Sequence, residues 1–129
     1  MGKYDVSNTE RQIMEYLWDR NTTVQTGELL SEFNSRGKNW KAQTLNTLLI
    51  RLAEMGLIQR QRGKVTPAYS RQEYNRRVAT DILERSYQGK LKNFIAALTG
   101  GSQIDDALYA ELKEMIEGKM IEKMTMLVE

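Results

Sequence analysis

The chain has 129 residues, 40% of them apolar and 28% charged, with a net charge of +2 and neither Cys nor His. That length suits one domain, or a small domain carrying an assembly arm. The missing Cys and His exclude disulfides, thiol chemistry, Cys/His metal sites and imidazole general bases together, and no apolar run approaches the ~20 residues that span a bilayer.

Ser7 followed by Glu10 has the spacing of a capping box. Ile13, Met14, Leu17 and Trp18 follow at helical intervals, which predicts a first helix from Ser7 to about Asp19. "NTTVQT" reads as a turn, and Thr26 can cap a second helix with Leu29, Leu30 and Phe33 on its apolar face, ending near Gly37. From Trp40, the residues Leu45, Leu48, Leu49, Leu52 and Met55 mark a third helix, stopped at Gly56. Leu57–Gln61 and about Ala68–Arg71 read as two short strands flanking the basic tip "RGKVTP". Helical periodicity resumes near Gln72 and continues past Tyr87 and Leu91 to Leu98, until "TGGSQ" interrupts it; a last amphipathic helix follows. The fold class expected is mainly α with a small β-hairpin. Residues 1–71 form a winged helix-turn-helix domain, and residues 72–129 a helical dimerisation region.

The small net charge hides a segregation. Residues 1–35 hold three basic and six acidic side chains, residues 36–77 ten basic and two acidic, and residues 78–129 six basic and nine acidic. A basic segment between two acidic ones fits a polyanion-binding surface or a solvated basic face. The third helix bears on the second choice. With its leucines turned inward, its outer side carries Lys41, Gln43, Thr44, Asn46, Thr47 and Arg51. Ordinary solvated faces favour Glu/Lys pairs. Gln and Asn can pair with adenine edges, Thr can offer its methyl to thymine or its hydroxyl to phosphate, and Arg and Lys grip phosphate or guanine. Arg60, Arg62 and Lys64 on the hairpin would straddle the backbone or enter the minor groove. Double-stranded DNA is therefore the expected partner. Trp18 reads as a core residue, whereas Trp40 could pack on the domain or touch phosphate.

"ERQIMEYLW", "KAQTLNTLLIRLAEMGLIQRQRG" and "AYS" closely resemble the penicillinase-repressor family of bacteria, over nearly the whole chain. The most specific element is Thr44-Leu45-x-Thr47-Leu48, then Arg51-Leu52 and Gly56-Leu57. The resemblance implies a homodimeric winged-helix repressor on operators of dyad symmetry, with contacts from Gln43, Thr44, Asn46 and Thr47. Some relatives carry basic residues at the positions of Gln43 and Asn46, which implies a different operator here. Copper-responsive members carry a Cys-x-Cys pair, and its absence excludes that branch. β-Lactam-responsive members are cut by a membrane sensor protease at an Asn-Phe bond. Asn93-Phe94 matches that bond in residue type, whereas aligning from Tyr87 and Gly89 places the scissile pair on Ala97-Leu98, one turn later. Such a protease is a possible second partner, and β-lactam resistance genes the possible targets.

Residues after the winged domain carry a long apolar stripe through Leu83, Tyr87, Leu91, Ile104, Leu108, Leu112, Met115, Ile116 and Met120. A lone helix cannot bury such a stripe in water, so it either folds back or pairs with a second chain, and pairing is the reading adopted. The opposing functional class, an enzyme, would have to use Asp105/Asp106 or Glu111/Glu114, which read as a helix cap and a solvated face. The remaining rival is an adaptor whose winged domain binds protein with no DNA sequence preference. The chain is thus expected to be cytoplasmic, outside the membrane, not an enzyme and without a cofactor or metal.

Overall fold

The computed structural model describes residues 2–100 and 106–128, with side-chain placement through residue 118. Ser7 caps the first helix, α1 (Asn8–Arg20): its hydroxyl accepts from the Glu10 N–H at 3.1 Å while Glu10 accepts from the Ser7 N–H at 2.8 Å. Asn21, in the left-handed region, closes α1. The sequence reading of "NTTVQT" as turn alone misses a two-residue strand, β1 (Val24–Gln25), which pairs antiparallel with the hairpin. Helix α2 (Thr26–Ser35) then starts at the residue expected to cap it, with Gln25 in the cap position and no side-chain cap bond. Helix α3 (Ala42–Glu54) follows, and Gly56, at φ +79°, turns the chain out of it.

Strands β2 (Ile58–Gln61) and β3 (Lys64–Pro67) form a tighter hairpin than the sequence suggested. Arg62 and Gly63 both take positive φ, 49° and 75°, so the loop is a two-residue turn whose twist matches that of the strands. Pairing therefore starts at Gln61↔Lys64, and the residues expected in a broad tip become β3 itself. The second strand is Lys64–Pro67 and not Ala68–Arg71. The sheet order is β1-β3-β2, all antiparallel.

Helix α4 (Arg71–Tyr87) is capped by Ser70, whose hydroxyl accepts from the Glu73 N–H. It stops at Gln88 and Gly89, both at positive φ, so the periodicity running on from Tyr87 to Leu91 conceals a break. Helices α5 (Leu91–Leu98) and α6 (Asp106–Val128) follow in a second compact unit, residues 90–129; the first unit spans residues 1–89.

One core unites the first unit. Ile13, Met14 and Leu17 from α1, Leu29 and Phe33 from α2, Leu45, Leu49 and Leu52 from α3, and Val24, Ile58 and Val65 from the sheet are all buried. Burying each such side chain contributes about 1.5–3 kcal/mol of transfer free energy. Helix α4 shares in this core. Tyr74 is buried against Trp18, at 5.2 Å between ring centroids, and donates to the Tyr4 carbonyl at 3.0 Å. Trp18 is a core residue, as its spacing predicts, and its indole N–H donates to the Tyr69 carbonyl at 2.9 Å. Arg71 ties the start of α4 to Glu15 and Asp19 of α1. The compact first unit, residues 1–89, thus includes α4.

Candidate nucleic-acid interface

Helix α3 is fixed by the inward run Leu45, Leu49 and Leu52, three or four residues apart. That anchoring determines what the other side presents. Lys41, Gln43, Thr44, Asn46, Thr47 and Arg51 are all exposed, as are Arg60, Arg62 and Lys64 on the hairpin. No side chain caps the N terminus of α3 and no acidic residue lies in its first turn, so its free amides and dipole favour an anion. Within the helix, the Thr47 hydroxyl donates to the Gln43 carbonyl at 3.1 Å. Its oxygen remains an acceptor and its methyl remains available for an apolar contact.

The hairpin is brought against α3 by strand alternation. Ile58 and Arg60 of β2 share one side of the sheet; Ile58 is buried there, and Arg60 reaches Asn46, its Nη2 donating to Asn46 Oδ1 at 2.9 Å. A cleft of about 270 Å³ opens at this junction, lined by Thr26, Leu30, Ala42, Leu45, Asn46 and Arg60 among others. A second concavity, formed by Thr23, Gln59, Arg60, Gln61, Arg62, Lys64 and Thr66, covers the hairpin surface and carries three cations and no acid.

The basic segment resolves into two halves. Arg36 pairs with Glu32, Arg51 with Glu10, Arg71 with Glu15 and Asp19, and Arg76 and Arg77 both with Glu73. Arg36, Arg71 and Arg77 also lie over the rings of Phe33, Trp18 and Tyr69. These five arginines are engaged within the protein, Arg51 and Arg71 between elements and Arg76 within α4 alone. Lys38, Lys41, Arg60, Arg62 and Lys64 have no ion-pair partner among the described residues, and they flank α3 or sit on the hairpin. Within residues 36–77 the positive charge left for an external anion is therefore concentrated around the polar residues of α3 and the hairpin.

Arg51 stands apart from the other groove-facing candidates. Its Nε lies 2.7 Å from Glu10 Oε2, and Glu10 is 1% exposed. The short distance is an ion pair without a well-aligned hydrogen bond, since Oε2 gains no partner by angle. The capping-box spacing identifies Glu10, but nothing in the local pattern shows that its second oxygen meets α3. Trp40 is settled in favour of packing. Its ring stacks on Phe33 at 5.1 Å, and Asn34 clamps its backbone, donating to its carbonyl at 3.0 Å and accepting from its N–H.

In the second unit, Leu91, Leu98, Met115 and Ile116 are each about 60% exposed, while Leu108 and Leu112 are partly buried. Asn93, Phe94, Ala97 and Leu98 all lie within α5. Leu83 and Tyr87, on α4, are partly buried. Ile104, Asp105 and the side chain of Met120 lie outside the described residues. Among the described residues no cluster of acidic side chains could hold a metal ion, and no helix is long and apolar enough to cross a membrane.

Residues 6–118 match the family model described as penicillinase repressor. The chain is also similar to a penicillinase repressor of Bacillus licheniformis, at 25% identity over 116 residues, covering 87% of this chain and 89% of that relative.

Proposed function

Since the chain belongs to the penicillinase repressor family, whose members are DNA-binding transcriptional repressors, we propose that it works as a homodimer that lays two copies of α3 into a palindromic operator. The observation that carries this reading is the coincidence of two features on one surface. The exposed N-terminal half of α3, with Gln43, Thr44, Asn46 and Thr47, is polar and free of acids, and the unpaired cations Lys38, Lys41, Arg60, Arg62 and Lys64 flank it. In this arrangement Gln43, Thr44, Asn46 and Thr47 face base edges, while Lys41, Arg62 and Lys64 meet phosphate or the minor groove. Arg51 contributes mainly by holding α3 to α1.

The apolar side chains left uncovered on α5 and α6 support pairing of two chains through the second unit, with Leu83 and Tyr87 of α4 joining the contact. A twofold axis there would set the two recognition helices about 34–36 Å apart, one turn of the duplex, or a multiple of it. The regulated genes would include β-lactam resistance functions, and a membrane-bound sensor protease would relieve repression by cutting Asn93-Phe94 or Ala97-Leu98. Both bonds lie inside a helix, so cleavage requires α5 to open locally. The protein would work in the cytoplasm, without a cofactor.

Selection from a random duplex pool, followed by titration of the selected full site and half-site at several salt concentrations, tests the reading. Enrichment of a palindrome, with a half-site far weaker than the full site, is the expected result. Equal affinity for all duplexes would return the winged domain to the adaptor class.

A further inference from the structure

The hairpin and α3 meet through one polar contact on the exposed surface, the bond from Arg60 Nη2 to Asn46 Oδ1 at 2.9 Å. Both residues line the same cleft of about 270 Å³. A guanidinium can only donate, so the amide atom facing it is the oxygen and not the nitrogen. Reading adenine through an Asn side chain requires both ends of the amide in one plane: the oxygen accepts from N6 and the nitrogen donates to N7. With Oδ1 turned onto the hairpin, the free end of Asn46 is its NH2 group, which offers donors only. The adjacent positive charge polarises the amide and strengthens those donors.

We propose that Arg60 is a positioning residue that makes Asn46 a donor-only reader, so that the half-site carries guanine, not adenine, at the base pair Asn46 meets. The inference rests on the operator reading above and specifies its sequence preference. Guanine presents N7 and O6 side by side, two acceptors that an NH2 group can serve together. Adenine places the N6 donor beside N7, setting one N–H against another. In this role Arg60 acts on specificity through Asn46, whereas Arg62 and Lys64 act on phosphate directly.

The test measures binding of the full-length chain and of Arg60→Met, Asn46→Ala and the double variant to duplexes varied one base pair at a time. Asn46→Ala identifies the base pair as the one whose preference disappears. Wild type is expected to favour guanine over adenine there by about five- to a hundred-fold, the range of one good side-chain-to-base match. Arg60→Met should remove most of that preference, change the salt slope by less than the full unit lost with a phosphate contact, and add little when combined with Asn46→Ala. A wild-type preference for adenine would overturn the proposal without recourse to any variant. So would an Arg60→Met protein that binds all duplexes equally more weakly with a slope shallower by about one unit. Both side chains are exposed, so the core persists in the variants, and an unchanged melting temperature checks this. A wild type indifferent to sequence would end the operator reading and this inference together; a sequence-specific wild type with Arg60 acting on the slope alone ends only the latter.

Discussion

Replacing Arg51 by Met keeps the aliphatic stem and removes the guanidinium, which leaves Glu10 without its charge partner. Glu10 is 1% exposed; one of its oxygens retains the Ser7 N–H at 2.8 Å, while the other loses the Arg51 Nε at 2.7 Å. Breaking a fully buried pair by removing one partner costs about 3–5 kcal/mol, whereas a fully exposed pair contributes about 0.2–1 kcal/mol. Arg51 is 57% exposed, so water already screens the pair from its outer side, and the capping hydrogen bond survives. The expected loss is therefore intermediate, about 1–3 kcal/mol. For a cooperative unit of this size each kcal/mol lowers Tm by about 4–8 °C. Thermal and urea unfolding of the full chain at one fixed protein concentration measure it, alongside the salt dependence of duplex binding. Glu10→Gln combined with Arg51→Met should recover part of the loss, because a neutral amide is less costly to leave in that position than a bare carboxylate. A stability change below about 0.5 kcal/mol, together with a salt slope shallower by about one unit, would refute the reasoning. Arg51 would then be a phosphate contact, and its pairing with Glu10 incidental.

Thr44→Ala and Thr47→Ala should each reduce operator affinity by about 1–3 kcal/mol and relax preference at one or two base pairs, read by competition between single-base variants of the site. Lys64→Ala should weaken specific and non-specific binding alike and make the salt slope shallower by about one unit per lost contact. Arg62→Asn should do the same; Asn suits the left-handed conformation that Arg62 adopts at φ 49°, so the turn is kept. Leu112→Glu combined with Ile116→Lys should give monomers in sedimentation whose first unit keeps its circular dichroism and whose operator binding is far weaker, while wild type sediments as a dimer at micromolar concentration.

The α-helices were legible because their signals are local. Ser7 and Glu10 mark the start of α1, and Leu45, Leu49 and Leu52 place α3 with its polar side outward. The elements that escaped depend on partners far along the chain. Val24 and Gln25 are a strand only because Val65 and Lys64 lie opposite them. The extent of the hairpin followed from two consecutive positive φ angles at Arg62-Gly63, and only the glycine advertises that conformation. Helix α4 ends at Gln88 within an unbroken apolar periodicity, since hydrophobic spacing records which side is buried and not whether the backbone turns. For the site, residue types pointed to nucleic acid, but charge counting treated ten cations as equivalent. Arg71, Arg76 and Arg77 belong to α4 and its ion pairs, and Arg51 to Glu10; these assignments come from contacts between elements, which composition cannot contain.

That division of charge bears on what the proposed pairing of two chains would add. In the proposed complex each half-site is read by Gln43, Thr44, Asn46 and Thr47, and a good side-chain-to-base match discriminates by about 1–3 kcal/mol. Thr47 has already committed its hydroxyl hydrogen to the Gln43 carbonyl, and Asn46 its oxygen to Arg60, so neither uses its full capacity on the base. One half-site thus falls in the lower part of the roughly 4–10 kcal/mol that separates specific from non-specific binding, while the unpaired cations raise affinity for any duplex. Doubling the readers through a twofold axis raises specificity without adding a contact to either domain. The first unit carries its own buried core. In the proposed dimer the exposed Leu91, Leu98, Met115 and Ile116 of the second unit would be the means by which the assembly gains discrimination, so charges placed on α6 should reduce operator selectivity to that of a half-site while leaving the winged domain intact.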